Sequence, residues 1–195
     1  VAVTKLLISH GLDPKNVIMC DSRGIIFEGR ENLNPIKEQM AAITNSSKKT
    51  GSLENALQNA DVFIGVSVAG AVTEEMVRSM APEPIIFAMA NPDPEILPDA
   101  AAKAGAAVVA TGRSDFPNQV NNVLGFPGIF RGALDCRASK ITQEMKIAAA
   151  TALAGLIPNP TKDKILPYAL DKSVVPAIAT AVKNAWQTKK APDDA

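Results

Sequence analysis

The chain has 195 residues, of which 47% are apolar, and its 20 lysines and arginines balance its 20 aspartates and glutamates. That length holds one domain, or one plus a small appendage, with enough apolar content for a sizeable core. Zero net charge with no basic patch excludes a nucleic-acid footprint, and the longest apolar run, Ile147 to Ile157, falls short of the ~20 residues a membrane span requires.

Helices and strands alternate from the start. Ala2 to His10 reads as a helix with Val3, Leu6 and Leu7 on one face, stopped by Gly11. Val17 to Cys20 is a short apolar strand ending in Asp21. Pro35 to Thr44 is a second helix with proline near its start. Ser52 to Ala60 is a third, with Ser52 as N-cap and Asn55 at the capping-box position. Asp61 to Val66 is a strand, Thr73 to Met80 a helix capped by Thr73, Pro84 to Met89 a strand, Pro98 to Ala104 a helix and Ala107 to Thr111 a strand. Strands that are apolar throughout are expected to be covered on both faces, as in a parallel sheet. The expected fold is therefore α/β, a doubly wound Rossmann-type parallel sheet. From Gly125 the pattern is helical, over Gly125 to Asp135, Thr142 to Ile157 and Val174 to Trp186. We divide the chain into a dinucleotide-binding unit over 1–135, a helical extension over 136–190 that packs on it, and a tail over 191–195, with Lys189 and Lys190 read as lying in a solvated end.

In open α/β sheets, ligands bind beyond the carboxyl ends of the strands. Asp21, Ser67 to Gly70, Asn91 to Pro94, and Gly112 to Asp115 leading to Asn121 and Asn122 all follow apolar runs. A carboxylate at Asp21 suits the two hydroxyls of an adenosine ribose and disfavours a 2′-phosphate, which Arg23 and Arg30 would in turn attract. The alternative for Asp21 is an Asx-turn before Gly24. Ser67, between Gly65 and Gly70, permits close backbone approach to a ligand, or simply turns the strand into the next helix. Pro92 holds Asn91 out of helical angles, so its side chain is expected at the strand tip, within reach of a ribose hydroxyl or a substrate oxygen. Carboxamides donate and accept at once, so Asn121 and Asn122 can bond a carboxamide-bearing ring and a carboxylate. Their alternative is a plain helix N-cap.

The glycine-rich Gly-x-Gly-x-x-Gly turn of a dinucleotide fold does not occur before the first helix, and the strand that should precede it is absent too. The expectation is a piece of a longer polypeptide, cut just after those glycines. Cys20 and Cys136 are too few for a disulfide framework or a metal cluster and read as small buried hydrophobes. No signal segment is visible, and a reduced, cytoplasmic location is expected. His10, at a helix end, suits a favourable charge there better than catalysis.

Val17 to Phe27, Asp61 to Gly70, Pro84 to Glu95 (PIIFAMANPDPE), Ala110 to Asp135 and Ile141 to Ile157 together resemble the nucleotide-binding domain of the malic enzymes of the compact bacterial type. The pairing of NPDPE with the long segment ending in FRGALD carries the resemblance, which covers nearly the whole chain. It implies oxidative decarboxylation of L-malate to pyruvate and CO2, with hydride passing to NAD or NADP. It implies a divalent Mg or Mn held by residues outside this chain, an upstream catalytic domain of the same polypeptide, and a homodimer. It also implies that Asp21 contacts the adenine ribose, that Val66 and Ser67 lie along the dinucleotide, that Asn91 and Asn121 meet the nicotinamide ribose, and that Asn122, with Asn91, reaches malate. The family's catalytic tyrosine and lysine and its metal carboxylates precede the glycine-rich turn, so no catalytic or metal-binding residue is expected here. Tyr168 matches no motif. The competing readings are the cofactor domain of an amino-acid or methylene-tetrahydrofolate dehydrogenase, and a non-catalytic nucleotide-sensing module.

Overall fold

The computed structural model describes residues 1–190. Its centre is a three-stranded parallel sheet of β3 (Val62–Gly65), β4 (Ile85–Ala88) and β5 (Val108–Thr111), paired in the order β3-β4-β5. The register is level: Val62 pairs with Ile85 and Ile85 with Val108, while Gly65 pairs with Ala88 and Ala88 with Thr111. All three strands therefore end at one line. The returns run through α4 (Glu74–Arg78) and α5 (Pro98–Lys103). Thr73 caps α4 by accepting from the Met76 N–H at 3.2 Å, and Pro98 opens α5 at a position that needs no amide donor.

Ahead of the sheet stand α1 (Ala2–Ser9), a hairpin of β1 (Cys20–Asp21) and β2 (Gly24–Ile25), α2 (Pro35–Ile43) and α3 (Leu53–Leu57). α3 begins with the expected capping box, Asn55 N–H donating to Ser52 Oγ and Ser52 N–H to Asn55 Oδ1. Behind the sheet come α6 (Phe126–Asp135), α7 (Gln143–Gly155) and α8 (Val174–Lys190), so α8 continues past Trp186 and takes in the backbone of Lys189 and Lys190. The expected tail over 191–195 lies outside the described residues.

Two cores form. One packs Leu57, Phe63, Val77, Ile86, Ala88 and Ala101 between the sheet and α3 to α5. The other joins Leu124, Ala133, Met145, Ala149, Ile178, Val182 and Trp186 among the three late helices. Asn118 ties the two regions together. Its Nδ2 donates to Val109 O at 3.1 Å and Lys162 O at 2.7 Å, and its Oδ1 accepts from the Ile165 N–H at 2.9 Å.

Several expectations are corrected. The Val17–Cys20 run does not join the parallel sheet. Cys20–Asp21 turns back antiparallel on Gly24–Ile25, because Gly24 at φ 100° permits a reversal that keeps the segment local. β3 is not covered on both faces: Phe63 and Gly65 are buried, while Val62 and Ile64 are 46% and 38% exposed. No described strand pairs with the free edge of β3. In α1 the apolar face is not sequestered, since Val3 and Leu7 are exposed and Leu6 is half-buried. Cys20 and Cys136 are half-buried free thiols.

α6 and α8 approach closely because α6 has glycine where they cross. A Cβ at Gly132 would lie 2.5 Å from Ala179 O and 2.8 Å from Val182 Cβ, and one at Gly128 2.6 Å from Ile178 Cβ. Gly132→Ala should destabilise the fold by ~1–3 kcal/mol, the usual cost of overpacking. Denaturant titration of the full-length polypeptide carrying this chain measures it; an unchanged midpoint would refute the tight crossing.

Candidate functional site

The level strand ends place three loops along one edge. Val66 and Ser67 follow β3, Asn91 follows β4, and Gly112 to Asp115 follow β5. The β5 loop then returns to its own strand: Thr111 bridges Gln119, and the Val120 N–H donates to Thr111 O at 2.8 Å. That return brings Asn121 and Asn122 to the tip of β5. Register and return loop together align Ser67, Asn91 and Asn121–Asn122.

Val66 and Ser67 are exposed, with Val66 72% accessible. Asn91 is exposed and joins Pro92 through a cis peptide bond. Asn121 performs the cap that its sequence allowed: its Oδ1 accepts from the Val123 N–H at 3.0 Å and starts a short 3₁₀ turn over Asn122–Leu124. Its amide nitrogen makes no hydrogen bond among the described residues, so capping and ligand binding use different atoms. Asn122 is exposed on the first residue of that turn. Both asparagines border an open groove with Gly125, Ile129, Leu153 and Leu166.

Arg113 organises the rim. It donates to Asp115 at 2.7–2.9 Å and to Asp93 at 3.3 Å, and its guanidinium lies 5.5 Å from the Phe116 ring centre. Asp93 belongs to the β4 loop and Asp115 to the β5 loop, so one cation links two strand tips.

Asp21 stands apart from this row, on the β1–β2 hairpin. Its Oδ1 accepts from Arg23 N–H and Arg30 Nη1, both at 3.0 Å. Its Oδ2 accepts from Arg30 Nη2 and Lys37 Nζ, both at 2.5 Å. The Asx-turn to Arg23 and a bidentate arginine pair thus coexist. Arg30 Nη1 also donates to Gly24 O and Ile25 O, which staples the hairpin. The Arg30 guanidinium, with Lys37 and the Arg23 amide, holds the Asp21 carboxyl well below the usual carboxylate range against a burial cost that works the other way. Burial, with Asp21 adjacent, pushes the Cys20 thiol up to about 11, which keeps it protonated and unreactive near neutral pH.

Sequence reasoning missed two participants. Lys37 sits in the first turn of α2, and only the tertiary placement of that helix brings it to Asp21. Glu95 is fully buried beside Ser67. The signal for Glu95 was a lone acid between Pro94 and the apolar Ile96 and Leu97. No three His, Cys, Asp or Glu side chains converge as a metal cluster among the described residues. No helix among them is long and apolar enough to cross a membrane.

Residues 4–186 match the family described as malic enzyme, NAD binding domain. The chain belongs to that family. It is 58% identical over 188 residues to the bifunctional malic/malolactic enzyme of Bacillus subtilis, covering 95% of this chain and 45% of the relative. It is 45% identical to the NADP-dependent malic enzyme of Halomonas elongata, covering 95% of this chain and 47% of that protein. The solved NAD-dependent malic enzyme of Thermotoga maritima superposes with a TM-score of 0.86 at 46% identity, over 93% of this chain and 48% of that one. The chain spans about half the length of these relatives. The malic-enzyme relationship establishes a Rossmann-type NAD(P)-binding domain, with relatives named for either cofactor.

The Asp21 pair carries a pH signature. A carboxyl depressed in the fold contributes stability that is present above its unfolded pKa of about 3.9 and is lost as pH falls below it. Asp21→Asn should cost on the order of 2 kcal/mol at pH 7, the worth of charge-assisted hydrogen bonds. The gap to wild type should narrow steadily below pH 4. Urea titrations from pH 2 to pH 7 would show it, and a gap independent of pH would remove the ion pair as a source of stability.

Proposed function

We propose that this chain is the cofactor-binding part of an enzyme that oxidatively decarboxylates L-malate. The observation that carries this reading is the single line of strand tips presenting Ser67, Asn91, Asn121 and Asn122 in a malic-enzyme domain. In the overall reaction, C2 of malate gives a hydride to NAD(P)+ and its hydroxyl gives up a proton. The resulting β-keto acid loses CO2, and the enolate left behind takes a proton to become pyruvate. Bound NAD(P)+ supplies the hydride acceptor.

This chain's own part is to bind and orient. Val66 and Ser67 lie along the dinucleotide, where an exposed valine and backbone amides allow close approach. The free amide nitrogen of Asn121 and the side chain of Asn91 serve the nicotinamide ribose. Asn122, with Asn91, bonds a malate oxygen. Residues 1–135 and 136–190 work as one unit, tied through Asn118. The proton-transfer groups and the carboxylates for Mg or Mn belong to an upstream domain of the same polypeptide. Two apolar surfaces support such a neighbour: the uncovered face of β3, and the α6 stripe of Phe126, Phe130 and Leu134, where the two rings stack at 6.0 Å. A homodimer in the reducing cytoplasm completes the reading.

Asp21 bears on cofactor choice. A carboxylate offers about four acceptor positions, and Arg23, Arg30 and Lys37 already supply four donors. A ribose bonded here must displace one of them, and Lys37 is the more exposed of the two cations at 34% against 12%. NAD use follows if ribose hydroxyls replace the lysine, and NADP use follows if the released cations meet a phosphate.

Two measurements test the assignments in the full-length enzyme with Mn. Asp21→Ser should raise the kcat/KM ratio of NADP to NAD by roughly 10-fold or more, equivalent to ~1.4 kcal/mol, because Arg30 and Lys37 lose their anion. No rise would refute the ribose assignment. Asn122→Ala should lower kcat/KM for malate by about 10- to 100-fold, the loss of one hydrogen bond to a charged group, at an unchanged melting temperature. Malate kinetics within twofold of wild type would remove Asn122 from the substrate site.

A further inference from the structure

Glu95 is a carboxylate with no exposure to solvent, and its partners come from two different loops. Its Oε1 accepts from the Ser67 backbone N–H at 2.6 Å and from Ser67 Oγ at 2.9 Å. Its Oε2 accepts from the Ala90 N–H at 3.0 Å. Ser67 follows β3, and Ala90 immediately precedes Asn91 after β4. The backbone reinforces the link: the Gly70 N–H donates to Pro94 O at 3.2 Å and the Val72 N–H to Glu95 O at 3.0 Å.

β3 ends in glycine beneath this carboxylate. A Cβ on Gly65 would fall 2.5 Å from both Cδ and Oε1 of Glu95. Gly65 has an ordinary negative φ, so backbone freedom does not explain it; the room it leaves for the acid, and for the Phe63 ring 2.8 Å from the same point, does. A buried carboxylate is costly unless its acceptors are filled, and here the donors are fixed backbone amides at strand ends plus one hydroxyl.

We propose that Glu95 is a positioning residue that sets the spacing between the Ser67 loop and the Asn91 loop, and so orients dinucleotide and malate relative to each other. The proposal rests on the functional reading above for its kinetic consequence. A carboxylate can accept at both ends, whereas a carboxamide accepts at one end and donates at the other. In Glu95→Gln the amide must therefore face either the Ser67 N–H or the Ala90 N–H with a donor, and one side of the clamp opens. The size and burial of the side chain are kept.

The test compares full-length wild type with Glu95→Gln by amide hydrogen exchange and by steady-state kinetics. Exchange should quicken at Ser67 and Ala90, by at least 10-fold at one of them, while amides within β4 and α5 hold their rates. Kinetically, KM for the dinucleotide should rise several-fold and kcat should fall at least 10-fold, since both sides of the hydride transfer are displaced. Ser67→Ala in the Glu95→Gln background should add less than twofold, as expected for residues acting through one contact. Kinetic constants within twofold of wild type, or unchanged exchange at both amides, would overturn the proposal. If Glu95→Gln does not fold, Glu95→Asp, which keeps the charge on a side chain one methylene shorter, should quicken exchange at Ser67 or Ala90, because the shorter acid cannot reach both amides, and unchanged exchange at both would overturn it. If the wild type reduces neither NAD nor NADP with malate, the functional reading fails, and the exchange comparison still decides the clamp.

Discussion

Level pairing of three parallel strands is the constraint on which the candidate site depends. Gly65, Ala88 and Thr111 share one line of the sheet, so each following loop starts at the same height and faces the same side. Parallel ladders need crossover helices between strands, and α4 and α5 provide them while burying Val77, Ala101 and Ala104 against Phe63, Ile86 and Ala88. A one-residue slip of any strand would turn its buried side chains to the opposite face and lift its tip out of line. Core packing and site geometry are therefore specified by the same register.

Much of this was legible in the sequence because it is local. Apolar runs of strand length, prolines at helix starts, and Ser52 and Thr73 as caps act within a few residues, and the α-helices and the three parallel strands appear within a few positions of their expected bounds. The Asp21 strand was misjudged because a short apolar run looks the same in a parallel sheet and in a hairpin. The deciding contacts, Arg30 on Gly24 O and Ile25 O and the Ile25 N–H on Gly51 O, come from farther along the chain. The same holds for Lys37 and Glu95: a sequence shows that an acid is flanked by apolar residues, but not which amides will meet it.

The site residues also show how two readings of one side chain can be reconciled. Asn121 is both a cap and a candidate ligand because its oxygen and its nitrogen have separate tasks. Asp21 makes an Asx-turn and an ion-pair cluster because a carboxylate has acceptors enough for both. In each case the bland structural role preorganises the group, and this lowers the entropy that a ligand must otherwise overcome. A residue fixed by its own backbone turn is a better binding element than a free one.

The electrostatic arrangement differs between the β1–β2 hairpin and the edge formed by the strand tips. Around Asp21 the charges are strong, paired and largely buried, with the side chains of Asp21 15% and Arg30 12% exposed. Ser67, Asn91, Asn121 and Asn122 are themselves neutral, Arg113 of the rim is paired with Asp93 and Asp115, and the buried Glu95 is met by two backbone amides and a hydroxyl of the protein itself. Glu95 would disturb that balance if its charge faced the cleft. Engaged at both oxygens by three donors and closed off from solvent, it keeps its charge behind the strand tips. Among the described residues this edge offers no histidine or tyrosine: His10 ends α1, and Tyr168 lies exposed in the loop before α8. What the edge does offer is a set of hydrogen-bonding side chains, Ser67, Asn91, Asn121 and Asn122, whose positions follow from the sheet register.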